Sequence, residues 1–206
     1  MRNDLTKRSY VGSLTSGALL RAETKILSPY LLQNLTAAEW KELFEKENPL
    51  QKNSVETSMR YMRTIRRRIE QTKDLKESFL QELVVADQIA FSQLMLLLIL
   101  LDSPIVVDFM CNVLGEYRRR FKEVLPSDIW DQFIEDRKRY ISELGVFADK
   151  TLNNIGATVI KVLSDVGYLS DSKTKRLQSV YPTQELYKWL KKLNRAELKE
   201  VFECTL

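Results

Sequence analysis

Leu94–Leu101 is an unbroken apolar run, Leu-Met-Leu-Leu-Leu-Ile-Leu-Leu, and it constrains the fold more than any other stretch of the chain. A helix built from it has no polar face, so it must be enclosed on every side. Spanning a bilayer core takes about 20 mostly apolar residues in a helix. The widest window, Leu83 to Leu101, carries Asp87, Gln88 and Gln93, and an Asp deep in a transmembrane helix costs roughly 2.5–3.5 kcal/mol on insertion scales. Asp102-Ser103-Pro104 stops the run. It is therefore expected to form the centre of a water-soluble core, with no membrane span.

The rest of the chain favours helices around that centre. Only 6 Gly and 5 Pro interrupt 206 residues, and straight-chain residues, which lose little rotamer freedom in a helix, are abundant. The length suits one domain or two small, closely packed ones. Charge is unevenly placed: residues 1–72 hold 13 Lys/Arg against 8 Asp/Glu, and residues 73–206 hold 19 against 20. A basic N-terminal part points to an anionic partner, nucleic acid first. The two cysteines, Cys111 and Cys204, form neither a metal motif nor a disulfide framework. No signal peptide is visible, since Leu5 to Leu20 is broken by charge, so the chain reads as cytoplasmic.

In order, the polar residues 1–10 are expected to fray unless a partner orders them. Residues 18–33 have the spacing of a first helix or two, with Pro29 permitting a kink or break. Thr36-Ala-Ala-Glu39 is a capping box. Ser54 caps a long helix to about Thr72, and residues 73–85 form a shorter one. Asp87 caps the central helix, 87–102, and Ser103-Pro104 opens a helix to about Phe121 that folds back on it as an antiparallel pair. Helices follow from Pro126-Ser127, over Thr151–Val166 with Gly167 as a left-handed cap, from Thr183, and from a second capping box at Asn194-x-x-Glu197.

The sharpest functional feature is on the long helix. Val55, Met59, Met62, Ile65 and Ile69 form one apolar stripe, and Arg60, Arg63 and Arg67 fall on the opposite side, flanked by Arg66 and Arg68. A solvated face would account for some arginine there, and Glu56 and Glu70 would pair part of it. Yet five Arg in nine residues repel one another without an anion nearby, which points to phosphate contact. Arg118, Arg119 and Arg120 end another helix, where they also complement its dipole. Lys173, Lys175 and Arg176 lie in a polar turn after Gly167-Tyr168-Leu169 and before a short β-like run, Leu177 to Tyr181. That order is compatible with a small winged-helix-like unit whose turn tracks a DNA backbone.

Catalytic chemistry is hard to build from this composition. Histidine is absent, which removes the commonest general base and metal ligand. Gly12-Ser-Leu-Thr-Ser-Gly17 lacks the Lys-Ser/Thr of a phosphate loop. The carboxylate–x–Lys triplets, Glu39-Trp-Lys41 and Glu197-Leu-Lys199, lie where helix capping explains the Glu. No catalytic residue, metal site or cofactor is expected.

Taken together, Tyr10-Val-Gly-Ser-Leu-Thr-Ser-Gly-Ala-Leu-Leu20 with Glu23, Trp40, Glu47-Asn-Pro-Leu-Gln51, Ser54-x-x-Thr57, Arg60 through Ile69, Phe109 and Leu163-x-x-x-Gly-Tyr-Leu169 resemble the BrxA family of BREX (bacteriophage exclusion) defence systems. The order and spacing of these pieces, over nearly the full length, carry the resemblance. It implies a non-enzymatic, all-α accessory factor of phage defence whose ligand is double-stranded DNA and whose partners are other BREX proteins. The expectation is thus about eight to ten helices in two packed subdomains, 1–72 and 73–206, the second built on the 87–102/104–121 pair. The leading function is DNA binding through Arg60, Arg63, Arg66, Arg67 and Arg68, helped by Arg118, Arg119, Arg120, Lys173, Lys175 and Arg176. The alternative is an adaptor whose basic helical surface assembles BREX components.

Overall fold

A computed structural model describes residues 9–33 and 35–206; the expectation for the polar residues before Ser9 lies outside them. The described chain is all-α. Its helices are α1 (Arg21–Leu32), α2 (Ala37–Lys46), α3 (Val55–Ile69), α4 (Lys76–Val85), α5 (Gln88–Asp102), α6 (Pro104–Phe109), α7 (Gly115–Arg119), α8 (Ile129–Lys138), α9 (Asp149–Val166), α10 (Gln184–Lys192) and α11 (Leu198–Phe202). A π-type turn over Met110–Leu114 joins α6 to α7 without a break.

The central helix is α5, and every residue from Ala90 to Asp102 is buried. Asp87 caps it as expected, its carboxylate accepting from the N–H groups of Ile89 and Ala90 at 2.8 Å. Gln93, the polar residue inside the apolar helix, is satisfied by the loop before α10. Its amide donates to the Tyr181 carbonyl at 2.9 Å and accepts from the Thr183 N–H at 2.8 Å. The helices α3, α6, α9 and α10 pack on α5. One continuous apolar cluster runs from Val11 through Ile69 and Leu97 to Phe202.

Local signals set most boundaries. Thr36 and Glu39 form the reciprocal capping box, and Ser54 accepts from the Thr57 N–H at 3.2 Å to start α3. Gly167 closes α9 with φ +98°. Several boundaries differ from expectation: α1 runs through Pro29 without a break, and α8 opens at Ile129 after Asp128. The first helix starts at Arg21 because Leu20 is left-handed, with φ +53°. The long helix stops at Ile69, and a 3₁₀ stretch over Glu70–Leu75, with Lys73 at φ +53°, separates it from α4. The second capping box is not made: Asn194 is left-handed at φ +52°, and Glu197 instead pairs with Arg195 at 3.1 Å. Finally, α6 does not run antiparallel to α5. The chain turns through 110° there, because Ser103 alone ends one helix and starts the next.

The segment Ser9–Leu20 fills that corner. Gly12 (φ +63°) lies so close that a Cβ would sit 2.4 Å from the Asp102 carbonyl oxygen. The Tyr10 carbonyl accepts from the Ile105 N–H at 3.0 Å, and the Tyr10 hydroxyl donates to Asp108 at 2.6 Å.

The β-like residues form isolated bridges. Leu169 pairs antiparallel with Leu177, and Val124 with Arg176. The Ser170 N–H donates to the Arg176 carbonyl and the Gln178 N–H to the Tyr168 carbonyl, both at 2.9 Å, so residues 168–178 make a small hairpin. Residue 124 lies along its outer arm.

Candidate nucleic-acid interface

The apolar stripe of α3 faces the core as expected: Met59, Met62, Ile65 and Ile69 are buried and Val55 half-buried. Arg60 and Arg63 are exposed, and Arg66 is half-buried. Among the described residues none of these three has a carboxylate within ion-pair distance; Arg60 stacks on its neighbour Tyr61, 5.4 Å from the ring centre. Arg67 is exposed but tied to Asp102, Nε to Oδ1 at 2.8 Å.

Arg68 departs from its expected role and cannot meet a phosphate from where it lies. It is 0% exposed. Its guanidinium donates to Ser13 Oγ (2.9 Å), the Ala18 carbonyl (2.6 Å) and the Gly17 carbonyl (2.7 Å). The reason is rotational. At about 100° per residue, position 68 lies three residues past Ile65 and one before Ile69, inside the buried arc. Burial lowers its pKa to about 10, which leaves it charged at neutral pH. The nearby Asp102 supplies the balancing charge. Burial works against that carboxylate, but hydrogen bonds from Ser13 and the Arg67 guanidinium outweigh it and hold its pKa below the ordinary value.

The two later basic clusters come together. The Val124–Arg176 bridge joins the loop after α7 to the hairpin, and Lys175 Nζ donates to the Ser127 carbonyl across it at 3.1 Å. Arg118 donates to Ser179 Oγ at 3.1 Å. Arg119 and Arg120 are both paired with Glu116, and Arg176 with Glu123 at 2.6 Å. Lys173 is exposed at the hairpin turn. Arg118 and Arg119 share a shallow depression with Phe121 and Lys122, lined also by Glu123, Glu200 and Glu203. Lys122 belongs with this cluster, and its place beside the arginine triplet was visible in the sequence.

Among the described residues no three Cys, Asp or Glu side chains come together to hold a metal ion. Burial raises the Cys111 thiol and pushes the Cys204 thiol to about 12, so both stay protonated at neutral pH. The Glu39 carboxylate is bound into its capping box by the Thr36 N–H at 2.7 Å.

The fold and this basic, exposed surface define a small all-helical protein that carries uncompensated arginine on one helix. The sequence model of the BrxA family matches residues 8–194, and the chain belongs to that family. It is 29% identical over 203 residues to the BREX protein BrxA of Escherichia coli O9:H4 (strain HS), covering 98% of this chain and 92% of that one. It is 30% identical over 187 residues to the BREX protein BrxA of Paramagnetospirillum magneticum (strain ATCC 700264 / AMB-1), covering 90% and 92%. A crystal structure of an uncharacterized protein from Magnetospirillum magneticum superposes with a TM-score of 0.81 at 27% identity, over 95% of this chain and 98% of that one.

Proposed function

We propose that this BREX phage-defence component is a non-enzymatic, cytoplasmic double-stranded DNA-binding factor that works beside other proteins of its system. The observation that carries the reading is the α3 face. Arg60, Arg63 and Arg66 stand within two helical turns and have no carboxylate partner among the described residues, while Arg67 and Arg68 are committed to the fold. Unpaired cations held this close favour a polyanion, and release of condensed counterions drives its binding. The hairpin cluster around Arg118, Lys122, Lys173 and Lys175 adds a second phosphate-contacting patch. Absent histidine and protonated thiols support a role without turnover.

The test is Arg60→Gln/Arg63→Gln/Arg66→Gln, measured on duplex DNA across a salt series. These side chains avoid the buried stripe, so the melting temperature should hold. Each lost contact should flatten the dependence of log K on log salt by about 0.9, roughly three units at most. The loss should be similar on unrelated sequences, because phosphate contacts position without reading bases. Unchanged affinity and slope in a folded triple variant would remove α3 from the interface.

A protein-adaptor reading has its own support. Val84, Val85 and Ile89 are 60%, 78% and 64% exposed where α4 meets α5, an apolar corner suited to a protein partner. Capture of another BREX component by a protein that binds no DNA, lost on Val85→Asp, would favour it.

A further inference from the structure

We propose that α9 reads the major groove of duplex DNA, inserting Asn153, Asn154, Ala157 and Lys161, while the 171–175 turn of the hairpin rests on the adjacent backbone. The inference deepens the DNA-binding reading above and rests on it.

The first support is connectivity. From α7 the chain runs helix, bridge residue 124, helix α8, helix α9, then the 168–178 hairpin. Residue 124 pairs with the outer arm at Arg176, and that arm pairs at Leu177 with the inner arm at Leu169. This is the order of elements and of strand pairing in a winged helix, where the helix before the hairpin enters the groove and the hairpin turn is the wing. The second helix of a helix-turn-helix reads bases in the same way.

The second support is the exposed face of α9. Lys150, Asn153, Asn154, Ala157 and Lys161 are all exposed and, at about 100° per residue, lie on one side of the helix. From Lys150 to Ser164 the helix holds no Asp or Glu, whereas α2 carries Glu39, Glu42 and Glu45 on its exposed surface. The acids of α9 stand only near its two ends, Asp149 at the first residue and Asp165, which pairs with Lys161 at 3.2 Å; a phosphate-lined groove repels carboxylates and meets none on the helix between them. Asparagine presents a donor and an acceptor side by side, which match adenine N7 and N6. Ala157, small and central, lets the helix approach the base edges.

The third support is rigidity. A Cβ on Gly156 would lie 2.4 Å from the Trp130 ring, so α8 and α9 touch there with no room to shift. Trp130 Nε1 donates to the Leu152 carbonyl at 2.9 Å. In the hairpin turn, the Asp171 carboxylate accepts from the N–H groups of Lys173 and Thr174, both at 2.7 Å, and so presents Lys173 outward.

The experiment measures binding of the full chain to a labelled duplex of random sequence, with selection of preferred sequences from the same pool. Ala157→Glu changes an exposed position, so its melting temperature should match the parent, while its affinity should fall tenfold or more. Asn153→Ala/Asn154→Ala, a substitution toward better helix formers, is the second variant. It should keep the salt slope and lose whatever base preference the parent selects. If both variants bind and select like the parent while Arg60→Gln/Arg63→Gln/Arg66→Gln weakens, the α9 assignment is wrong and DNA binding stands on α3. If Ala157→Glu weakens binding and the arginine variant does not, α9 is the reader and α3 is not the surface. If the parent binds no duplex at low salt, both fall.

Discussion

At the scale of single residues, Arg68 shows how one position can look functional and be structural. Its three contacts gather the Ser13–Ala18 segment onto α3, and the neighbouring Asp102 accepts from the Ser13 N–H at 2.8 Å. Removing the guanidinium leaves the half-buried Gly17 and Ala18 carbonyls and the buried Ser13 Oγ without its donors, and an unsatisfied buried group costs about 1–3 kcal/mol. Arg68→Met is therefore expected to cost about 3 kcal/mol and lower the melting temperature by about 6–12 °C. DNA affinity of the folded fraction should not change. A variant that melts like the parent but binds DNA weakly would reverse the assignment. The same corner sets the acid limit. Asp108 is buried enough to raise its pKa, yet the Arg137, Tyr10 and Asn112 hydrogen bonds outweigh that, and both it and Asp102 end below the ordinary carboxylate value. A carboxylate depressed in the folded state contributes stability above its unfolded pKa of about 4, and that contribution is lost as pH falls through the folded value. Denaturant titrations should therefore show stability dropping below about pH 4. Asp102→Asn should be weaker at neutral pH with a flatter acid limb; an acid limb as steep as the parent's would show that other groups set it.

At the scale of elements, the central helix depends on one internal amide. Gln93 joins α5 to the start of α10 through Tyr181 and Thr183. Gln93→Leu keeps the volume and leaves both backbone groups unpaired, at a cost of about 1–3 kcal/mol. Amide exchange should rise first at Thr183–Leu186, the start of α10; uniform acceleration across the chain would mean the bond serves global stability instead. What the sequence made legible follows from range. Capping by Thr36, Ser54, Asp87 and Thr183 depends on residues two or three positions away, and all four caps are present. The amphipathic stripes of α3 and α9 were legible for the same reason, since helical period alone places them. The turn at Ser103 was not, because its 110° angle depends on Gly12 packing against Asp102, 90 positions along the chain. Likewise α3 showed its arginines, but Asp102 and the carbonyls of residues 17 and 18 decide which of them are free, and no local pattern reports those contacts. After Asp149 the exposed residues of α9 are Asn, Ala and Lys, too ordinary a set to stand out until the hairpin pairing places them.

At the scale of the whole molecule, the question is where the apolar run is spent. Among the described residues no single helix is long and apolar enough to cross a membrane; only the bent pair Gln88–Asp102 and Pro104–Arg119 has the length and composition together. For that pair to span, the 110° turn would have to straighten. The turn is where Gly12 meets the Asp102 backbone and where Asp102 is bound to Ser13 and Arg67. Straightening it would strip the Ser13–Ala18 partners from Arg68 and carry Asp102 toward hydrocarbon, a cost of several kcal/mol for each charge without compensation. It would also uncover the faces of α3, α9 and α10 that now pack on α5. The expected outcome is a protein recovered in the supernatant without detergent, with none retained by membranes after salt and alkaline washing. Leu97, 0% exposed, is the sensitive position: Leu97→Asp should abolish folding in water, since an unpaired charge there has no partner. Were the protein instead to pellet with membranes and resist alkaline extraction, and were Leu97→Asp to leave its aqueous fraction folded, α5 would not be the core of this molecule.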